Sequence, residues 1–98
     1  MILQDVIDPY IVRIMDNTLA PVVFQGDILI VDRLREPKNK DLILCHLNGI
    51  CLVKQYLTDD ISISLRSYHN KNEVRKLTIG DMFDYIGCVV KIVKNTGQ

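Results

Sequence analysis

The dipeptide Asn48-Gly49, which separates two apolar runs, constrains the fold of this chain more than any other feature. The runs are Asp41–Leu47 (DLILCHL) and Ile50–Leu57 (ICLVKQYL). Both positions of a tight hairpin turn need positive φ, and Asn-Gly adopts that conformation at little cost. The pattern therefore predicts a β-hairpin whose two strands leave the turn directly.

Further runs along the chain repeat the β pattern. They are rich in β-branched residues, their hydrophobic period is two rather than 3.6, and no segment shows a helical stripe. Gly87, inside the last run, indicates a bulge or a bend, and Asp27 and Asp32 are expected to cap turns. Besides the two hairpin strands, the predicted strands are Tyr10–Met15, Ile28–Asp32, Ile61–Leu65, Val74–Ile79 and Met82–Val93.

These strands indicate a single all-β domain over residues 1–98. All-β domains with many short strands usually close as sandwiches or barrels, and we expect about six or seven strands. A small domain of this kind leaves strand edges on which a second copy can pair. We expect a homodimer that uses the Val- and Ile-rich closing strand Met82–Val93 as its edge.

Charge and hydropathy exclude several function classes. The chain has 12 basic and 12 acidic residues. It therefore has no positive excess with which to neutralise phosphates, and we expect no direct contact with nucleic acid. No apolar run approaches the ~20 residues that span a bilayer. The first ten residues hold two aspartates and no Lys or Arg, unlike a signal peptide. We expect a cytoplasmic protein that does not contact a membrane.

The three cysteines, Cys45, Cys51 and Cys88, form no recognisable metal or disulfide pattern. Their number is odd, there is no Cys-x-x-Cys, and the two histidines are not at zinc-site spacing. We expect three buried thiols that act as small hydrophobic side chains, and we expect neither a metal nor a cofactor.

Three ordered segments and the tail of the chain share their pattern with one family. The segments are Tyr10–Pro21 (YIVRIMDNTLAP), Gly26–Arg33 (GDILIVDR) and Asp41–Lys54 (DLILCHLNGICLVK), and the tail is Tyr85–Lys94 (YIGCVVKIVK). With their spacing kept, they resemble the LexA/UmuD family of self-cleaving peptidase domains, which includes the C-terminal domains of many phage repressors. The family has a strand followed by Gly-Asp-Ser-Met-x-Pro, then Gly-Asp-hydrophobic-Val-Asp, a hairpin ending in Val-Lys, and a Val-rich closing strand. The resemblance covers almost the whole chain and implies a small β-barrel or β-clip.

The resemblance also implies a catalytic pair. In the family, a serine on the loop after the first strand attacks a backbone carbonyl of its own chain. A lysine on the hairpin strand, kept neutral by burial, takes the proton. The nucleophile position falls on Thr18 and the general-base position on Lys54.

The chain departs from the family around the nucleophile. Thr18 replaces the serine, Asp16-Asn17 replaces Gly-Asp, and Leu19 replaces the methionine. The threonine methyl group restricts χ1 and occupies space beside the reacting carbon. The carboxylate of Asp16 disfavours both an oxyanion and a neutral lysine. These changes indicate weak or lost catalysis.

The segment before the nucleophile position also differs from that of a full repressor. Residues 1–17 contain neither Ala-Gly nor Cys-Gly, the dipeptides that the family typically cuts, and no helix-turn-helix is evident. In both respects the chain resembles the processed core of UmuD.

Three functions are open at this level. The first is a degenerate LexA/UmuD-like module that dimerises and binds a partner in a DNA-damage (SOS) or phage-repressor context. The resemblance implies a RecA filament, a translesion DNA polymerase or a repressor as that partner. The second is an active self-cleaving peptidase, which requires Thr18 and Lys54 within hydrogen-bond reach. The third is an unrelated small β-barrel binding protein whose likeness arises by chance.

Overall fold

The computed structural model describes residues 2–3, 10–17, 19–67 and 70–95. Its strands are β1 (Ile2–Leu3), β2 (Tyr10–Arg13), β3 (Ile28–Asp32), β4 (Leu42–Leu47), β5 (Ile50–Thr58), β6 (Ile63–Arg66), β7 (Val74–Lys76) and β8 (Phe83–Val93). They form one antiparallel sheet in the order β1-β2-β3-β8-β4-β5-β6-β7. The described ranges contain no helix, and hence none that could cross a membrane. The all-β prediction is confirmed.

The hairpin between β4 and β5 forms as the sequence predicts. Asn48 has a φ of 51° and Gly49 a φ of 87°, so both turn positions are left-handed. The ladder begins with Leu47 opposite Ile50, next to the turn. The turn therefore sets the register that orients every side chain of β5, including Lys54.

The closing strand β8 joins the two halves of the sheet. Up to Cys88 it pairs with β4, and from Cys88 onward it pairs with β3. Each ladder contains a one-residue register shift, which leaves Ile86 and Val90 as bulge residues. Gly87 lies next to the first bulge, and a Cβ there would be 2.5 Å from Val31 Cγ1. The irregularity predicted at Gly87 is thus confirmed, and the close approach of β3 explains the glycine.

The expectation that β8 is an edge strand is wrong, because β8 lies between β3 and β4 in the sheet order. The composition gave the misleading signal, since an interior strand is also rich in Val and Ile. The strand is nevertheless half-free. Within the described residues, positions 89–93 pair with β3 alone. Val90 and Val93, on this stretch, have exposed side chains.

Two apolar clusters pack on opposite faces of the central strands. Alternate residues of β4 contribute to them: Leu44 to the first cluster, Ile43 and Cys45 to the second. The buried members of the first cluster are Val12, Ile14, Leu19, Val23, Leu29, Val31, Leu44 and Val53. Those of the second are Ile43, Cys45, Leu47, Tyr56 and Leu65.

Two of the strand boundaries that differ from the prediction do so for the same physical reason. Strand β6 begins at Ile63 rather than Ile61, because the Asp59 carboxylate accepts the Ile61 N–H at 2.9 Å and holds it in a turn. Strand β7 ends at Lys76 rather than Ile79, because the Asp81 carboxylate accepts the Thr78 N–H at 2.9 Å. In both places a local side-chain bond competes with the ladder.

Candidate functional site

The turn region between β2 and β3, residues 14–27, carries the predicted nucleophile position. Thr18 itself lies outside the described residues. The chain on either side of it is held in place. The Oδ1 atom of Asn17 accepts the Gln25 N–H at 2.8 Å, and Leu19 is buried in the first cluster. The distance between Thr18 and Lys54 stays untested, and so does the catalytic pair.

The base of this turn region is closed by backbone hydrogen bonds. The Ile14 N–H donates to the Asp27 carbonyl at 2.9 Å, and the Gly26 N–H donates to the Ile14 carbonyl at 2.8 Å. Gly26 has a φ of 95°, and a Cβ there would be 2.5 Å from Asn95 Nδ2. Glycine is needed here for its positive φ, whereas the amide end of the Asn95 side chain could move away from a Cβ.

The Asp27 carboxylate is the centre of the turn region, with only 3% of the residue exposed. Its oxygens accept the Asn95 N–H at 2.8 Å, the Phe24 N–H at 2.9 Å and the Lys94 ammonium at 3.0 Å. These donors, the backbone bonds from Asn95 and Phe24 first, lower the pKa of Asp27 to about 2. Lys94 also donates to the Val22 carbonyl. We refer to this set of contacts as the Asp27 clamp.

The capping roles predicted for the two aspartates at the ends of β3 are confirmed. Asp27 accepts a backbone N–H within its own turn, as described above. Asp32 accepts the Leu34 N–H at 2.9 Å. The bonds from Asp27 to the residues after β8 are not evident from local sequence, because they join segments far apart in the chain.

Lys54 lies on the face of β5 opposite to Val53. Side chains alternate along a strand, and Val53 is buried in the first cluster, whereas Leu52 and Tyr56 pack with the second. Ile43, also of the second cluster, is directly opposite Lys54 in the ladder. The sequence left the direction of Lys54 open. The structure places the half-buried side chain against the second cluster.

Lys54 lines a cleft of about 370 Å³ between the hairpin and β7. We call it the Lys54 cleft. It is mainly apolar, and Ile50 and Val74, which line it, have exposed side chains. The other aliphatic side chains that line it are Leu47, Leu52 and Leu65.

The charges in the Lys54 cleft are unevenly partnered. Arg75 is paired with Asp81 at 2.5 Å, whereas within the described residues Lys54 has no carboxylate at ion-pair distance. The charge of Lys54 also acts on the thiol of Cys45. Burial, and then the neighbouring Cys51, raise the pKa of that thiol to about 12, and Lys54 opposes the rise. An unpaired ammonium in an apolar cleft is suited to an anionic group on a bound molecule or to proton transfer.

A nucleophile for Lys54 is absent from the described lining of the cleft. The residues that line it with Lys54 are Leu, Ile, Val, Asn, Glu and Arg side chains, none of which has a hydroxyl or thiol group. A hydroxyl that works with Lys54 therefore has to come from another segment, and Thr18 is the position that the sequence pattern assigns.

A model of the Peptidase S24-like family matches residues 4–90. The chain belongs to this family. LexA and UmuD are members of it, so the assignment made from the three sequence segments is confirmed. The match includes both the turn region with position 18 and the hairpin strand with Lys54, and it rules out the interpretation as an unrelated β-barrel. A search of curated proteins found no match.

The hairpin turn of this S24-like chain also fixes one wall of the Lys54 cleft. Asn48 donates its N–H to the Met82 carbonyl at 2.8 Å and accepts the Met82 N–H at 2.9 Å. Its Nδ2 donates to Asp81 Oδ1 at 3.1 Å, the oxygen that also binds Arg75. A hydrogen bond from the Thr78 N–H, with those from Asn48 and Arg75, keeps the pKa of Asp81 low. Asn48 was assigned only a turn role by sequence, because nothing local indicates its contact with the β7–β8 loop.

One further row of reactive residue types crosses the S24-like sheet. His46 is opposite Cys51 in one ladder and opposite Asp84 in the other, an order that is typical of nucleophile, base and carboxylate. Burial, however, raises the pKa of the Cys51 thiol, and a protonated thiol is a poor nucleophile. Among the described residues no group of three His, Cys, Asp or Glu side chains could hold a metal ion.

Proposed function

We propose that this Peptidase S24-like chain is a regulatory module that acts by dimerising and binding a peptide segment, with weak or lost peptidase activity. Its setting would be a DNA-damage (SOS) response or phage repression, in the cytoplasm. Family membership supports the setting. The half-free strand β8 is the observation that carries the proposal.

The free side of β8 supplies a surface for a second copy. Residues 89–93 have a ladder on one side only in the described part of the chain. In an antiparallel ladder every second residue points its N–H and C=O away from its partner. A strand with such unpaired groups is a template for another strand. The exposed side chains of Val90 and Val93 would add apolar contact.

The charges on this stretch are compatible with self-pairing. A strand pairs with its own copy about a two-fold axis. A residue that precedes the axis in one copy therefore lies opposite the residue that follows the axis by the same number of positions in the other copy. With the axis at Ile92, Lys91 of one copy faces Val93 of the other, and the two lysines do not oppose one another. The pairing would extend the sheet continuously across both copies.

The Lys54 cleft supports the binding part of the proposal. It combines aliphatic lining residues with the charged side chains of Lys54, Glu73 and Arg75, and among the described residues Lys54 has no carboxylate at ion-pair distance. An extended peptide with aliphatic side chains and one carboxylate fits that chemistry. By family resemblance the peptide would belong to a RecA filament, a translesion polymerase or a repressor.

Sedimentation tests the dimer. The protein at 1 to 300 µM, roughly the range in which small interfaces associate, should change from monomer to dimer. Val90→Lys should weaken the dimer at least about tenfold, because a charge on a free edge opposes pairing. Val74→Lys is the matched control, since Val74 is 49% exposed and Val90 46%. A monomer at every concentration would overturn the proposal.

A cleavage assay tests whether catalysis is lost. A fluorogenic peptide with an Ala-Gly site is supplied to the natural protein, to Thr18→Ser and to Lys54→Ala between pH 7 and 10. We expect little cleavage by the natural protein, and more by Thr18→Ser if the base and groove are intact. Strong alkaline cleavage by the natural protein that disappears in Lys54→Ala would establish a threonine–lysine peptidase and refute the binding-only function.

A further inference from the structure

We propose that the Asp27 clamp couples pairing along β8 to the order of the turn region beside Thr18. The inference rests on the proposed dimer and assigns a regulation to the same site. It identifies Lys94 as a positioning residue that acts through Asp27.

The clamp begins immediately after the half-free stretch of β8. Strand β8 ends at Val93, and the next two residues, Lys94 and Asn95, both donate hydrogen bonds to the Asp27 carboxylate. No flexible linker separates the pairing edge from the clamp. A second copy that fixes residues 89–93 therefore also restricts the two residues that hold Asp27.

From Asp27 the contacts continue to the predicted nucleophile position. The Asp27 carboxylate holds the Phe24 N–H at 2.9 Å, and the adjacent Gln25 N–H donates to Asn17 Oδ1 at 2.8 Å. Asn17 precedes Thr18 in the chain. The path from Lys94 to Asn17 thus consists of hydrogen bonds and the Phe24–Gln25 peptide unit, and a further peptide bond joins Asn17 to the nucleophile position.

The Lys94 side chain is suited to a coupling role rather than to core packing. It is 48% exposed, yet its ammonium is shared between Asp27, at 3.0 Å, and the Val22 carbonyl. It also lies 5.6 Å from the centroid of the Phe24 ring. A substitution of this one exposed side chain therefore removes three contacts to the turn region and leaves the sheet intact.

The energetic basis is the entropy of ordering. A hydrogen-bonded turn opens transiently, and it opens less often when one of its attachments becomes more rigid, with no change of shape required. Dimerisation would therefore appear as slower amide exchange in residues 17–27, with the largest effect at the N–H groups of Phe24 and Gln25.

Hydrogen exchange followed by mass spectrometry tests this inference at concentrations below and above the dimerisation midpoint, which sedimentation supplies. In the natural protein, exchange at Phe24 and Gln25 should slow by at least about threefold on dimerisation, a change typical of local opening equilibria. Lys94→Met should still dimerise but lose that slowing. Lys71→Met, which removes an exposed charge from the loop between β6 and β7, should keep it.

The outcomes separate the two proposals. A natural protein that dimerises without slower exchange at Phe24 and Gln25 overturns the coupling and leaves the dimer in place. Slowing that persists in Lys94→Met overturns the role of the clamp. A protein that never dimerises overturns the proposed function and the coupling together, and the sedimentation data identify that case.

Discussion

The carboxylate of Asp27 and the ammonium of Lys94 lie 3.0 Å apart, although 67 positions separate them in the chain. The contact joins the residue before β3 to the residue after β8. Because β3 and β8 are paired along the intervening residues, the clamp closes that ladder at its end. The stability of the protein, the pH dependence of that stability and the order of the turn region therefore all depend on this contact.

Acid should destabilise the protein partly through this carboxylate. The pKa of Asp27 is lowered from its ordinary value of 3.8 to about 2. A carboxyl group whose pKa is lowered by folding stabilises the folded state at pH values above its ordinary pKa. That stabilisation disappears as the pH falls from about 4 to about 2. The lowered pKa values of Asp59 and Asp81 act in the same direction. We expect Tm to fall by roughly 5–10 °C from pH 5 to pH 2.5.

Calorimetry between pH 2.5 and 7 measures this dependence. Asp27→Asn should lower Tm at pH 7 and flatten the acid limb, because the amide does not titrate. Asp60→Asn, at an exposed position of the β5–β6 turn, should retain the natural profile. An acid limb of unchanged steepness in Asp27→Asn would contradict the role of the clamp.

Gly87→Ala should destabilise the protein by about 1–3 kcal/mol, the usual cost of overpacking. The new methyl group would lie 2.5 Å from Val31 Cγ1 and 2.8 Å from the Asp32 carbonyl oxygen, and backbone cannot yield easily. Gly80→Ala is the matched control, because no atom lies within 4 Å of its Cβ position. Urea titration gives both free energies of unfolding. Equal stability of the two variants would show that β3 does not approach Gly87 this closely.

Leu65→Ala should cost about 2–5 kcal/mol, since the side chain is buried in the second cluster and would leave a cavity beneath the Lys54 cleft. Ile61→Ala should stay within about 0.5 kcal/mol, because Ile61 is 92% exposed. Denaturant unfolding of both variants tests the boundary between turn and strand in this part of the chain. A large loss in Ile61→Ala would mean that β6 begins where the sequence pattern puts it.

The three thiols should react at different rates in the folded protein. Cys45 and Cys88 are buried, and burial raises the pKa of both thiols, that of Cys45 to about 12. Cys51 is only half-buried, so we expect it to be labelled first by a neutral disulfide reagent. Stopped-flow labelling should show one faster thiol in the natural protein and none in Cys51→Ser. All the cysteines should react together in 6 M guanidinium, a concentration at which most domains are unfolded.

Much of the fold is predictable because its signals are local. The Asn48-Gly49 turn, the apolar runs on each side of it and the strand Ile28–Asp32 all appear at the predicted positions. Gly87, which has no side chain, correctly indicated an irregularity in β8. Each of these features depends on residues within a few positions of one another in the chain.

The features that sequence missed depend on distant contacts. The two-residue strand β1 is too short for a hydrophobic period. The interior place of β8 depends on pairing with β3 and β4, which composition does not encode. The clamp role of Lys94 and the tether from Asn48 to Met82 join segments that only the folded chain brings together.

The candidate site divides in the same way. Lys54 could be assigned by resemblance, but the direction of its side chain could not, because its neighbours Val53 and Gln55 can each face either side of the sheet. The structure decides this by placing Val53 in one cluster and Leu52 in the other. Position 18 lies outside the described residues, so the predicted catalytic pair of Thr18 and Lys54 is tested by the cleavage assay.

The double pairing of Cys88 has a consequence for the order of assembly. The strands β4 to β7 follow one another along the chain and pair with their sequence neighbours, so they can form over short loops. The contacts between β3 and β8 close a much longer loop and are slower to form. Within the described sheet, β1–β3 and β4–β7 are connected through β8 alone. Whether the chain behaves as one cooperative unit or as two is therefore decided when β8 docks between them.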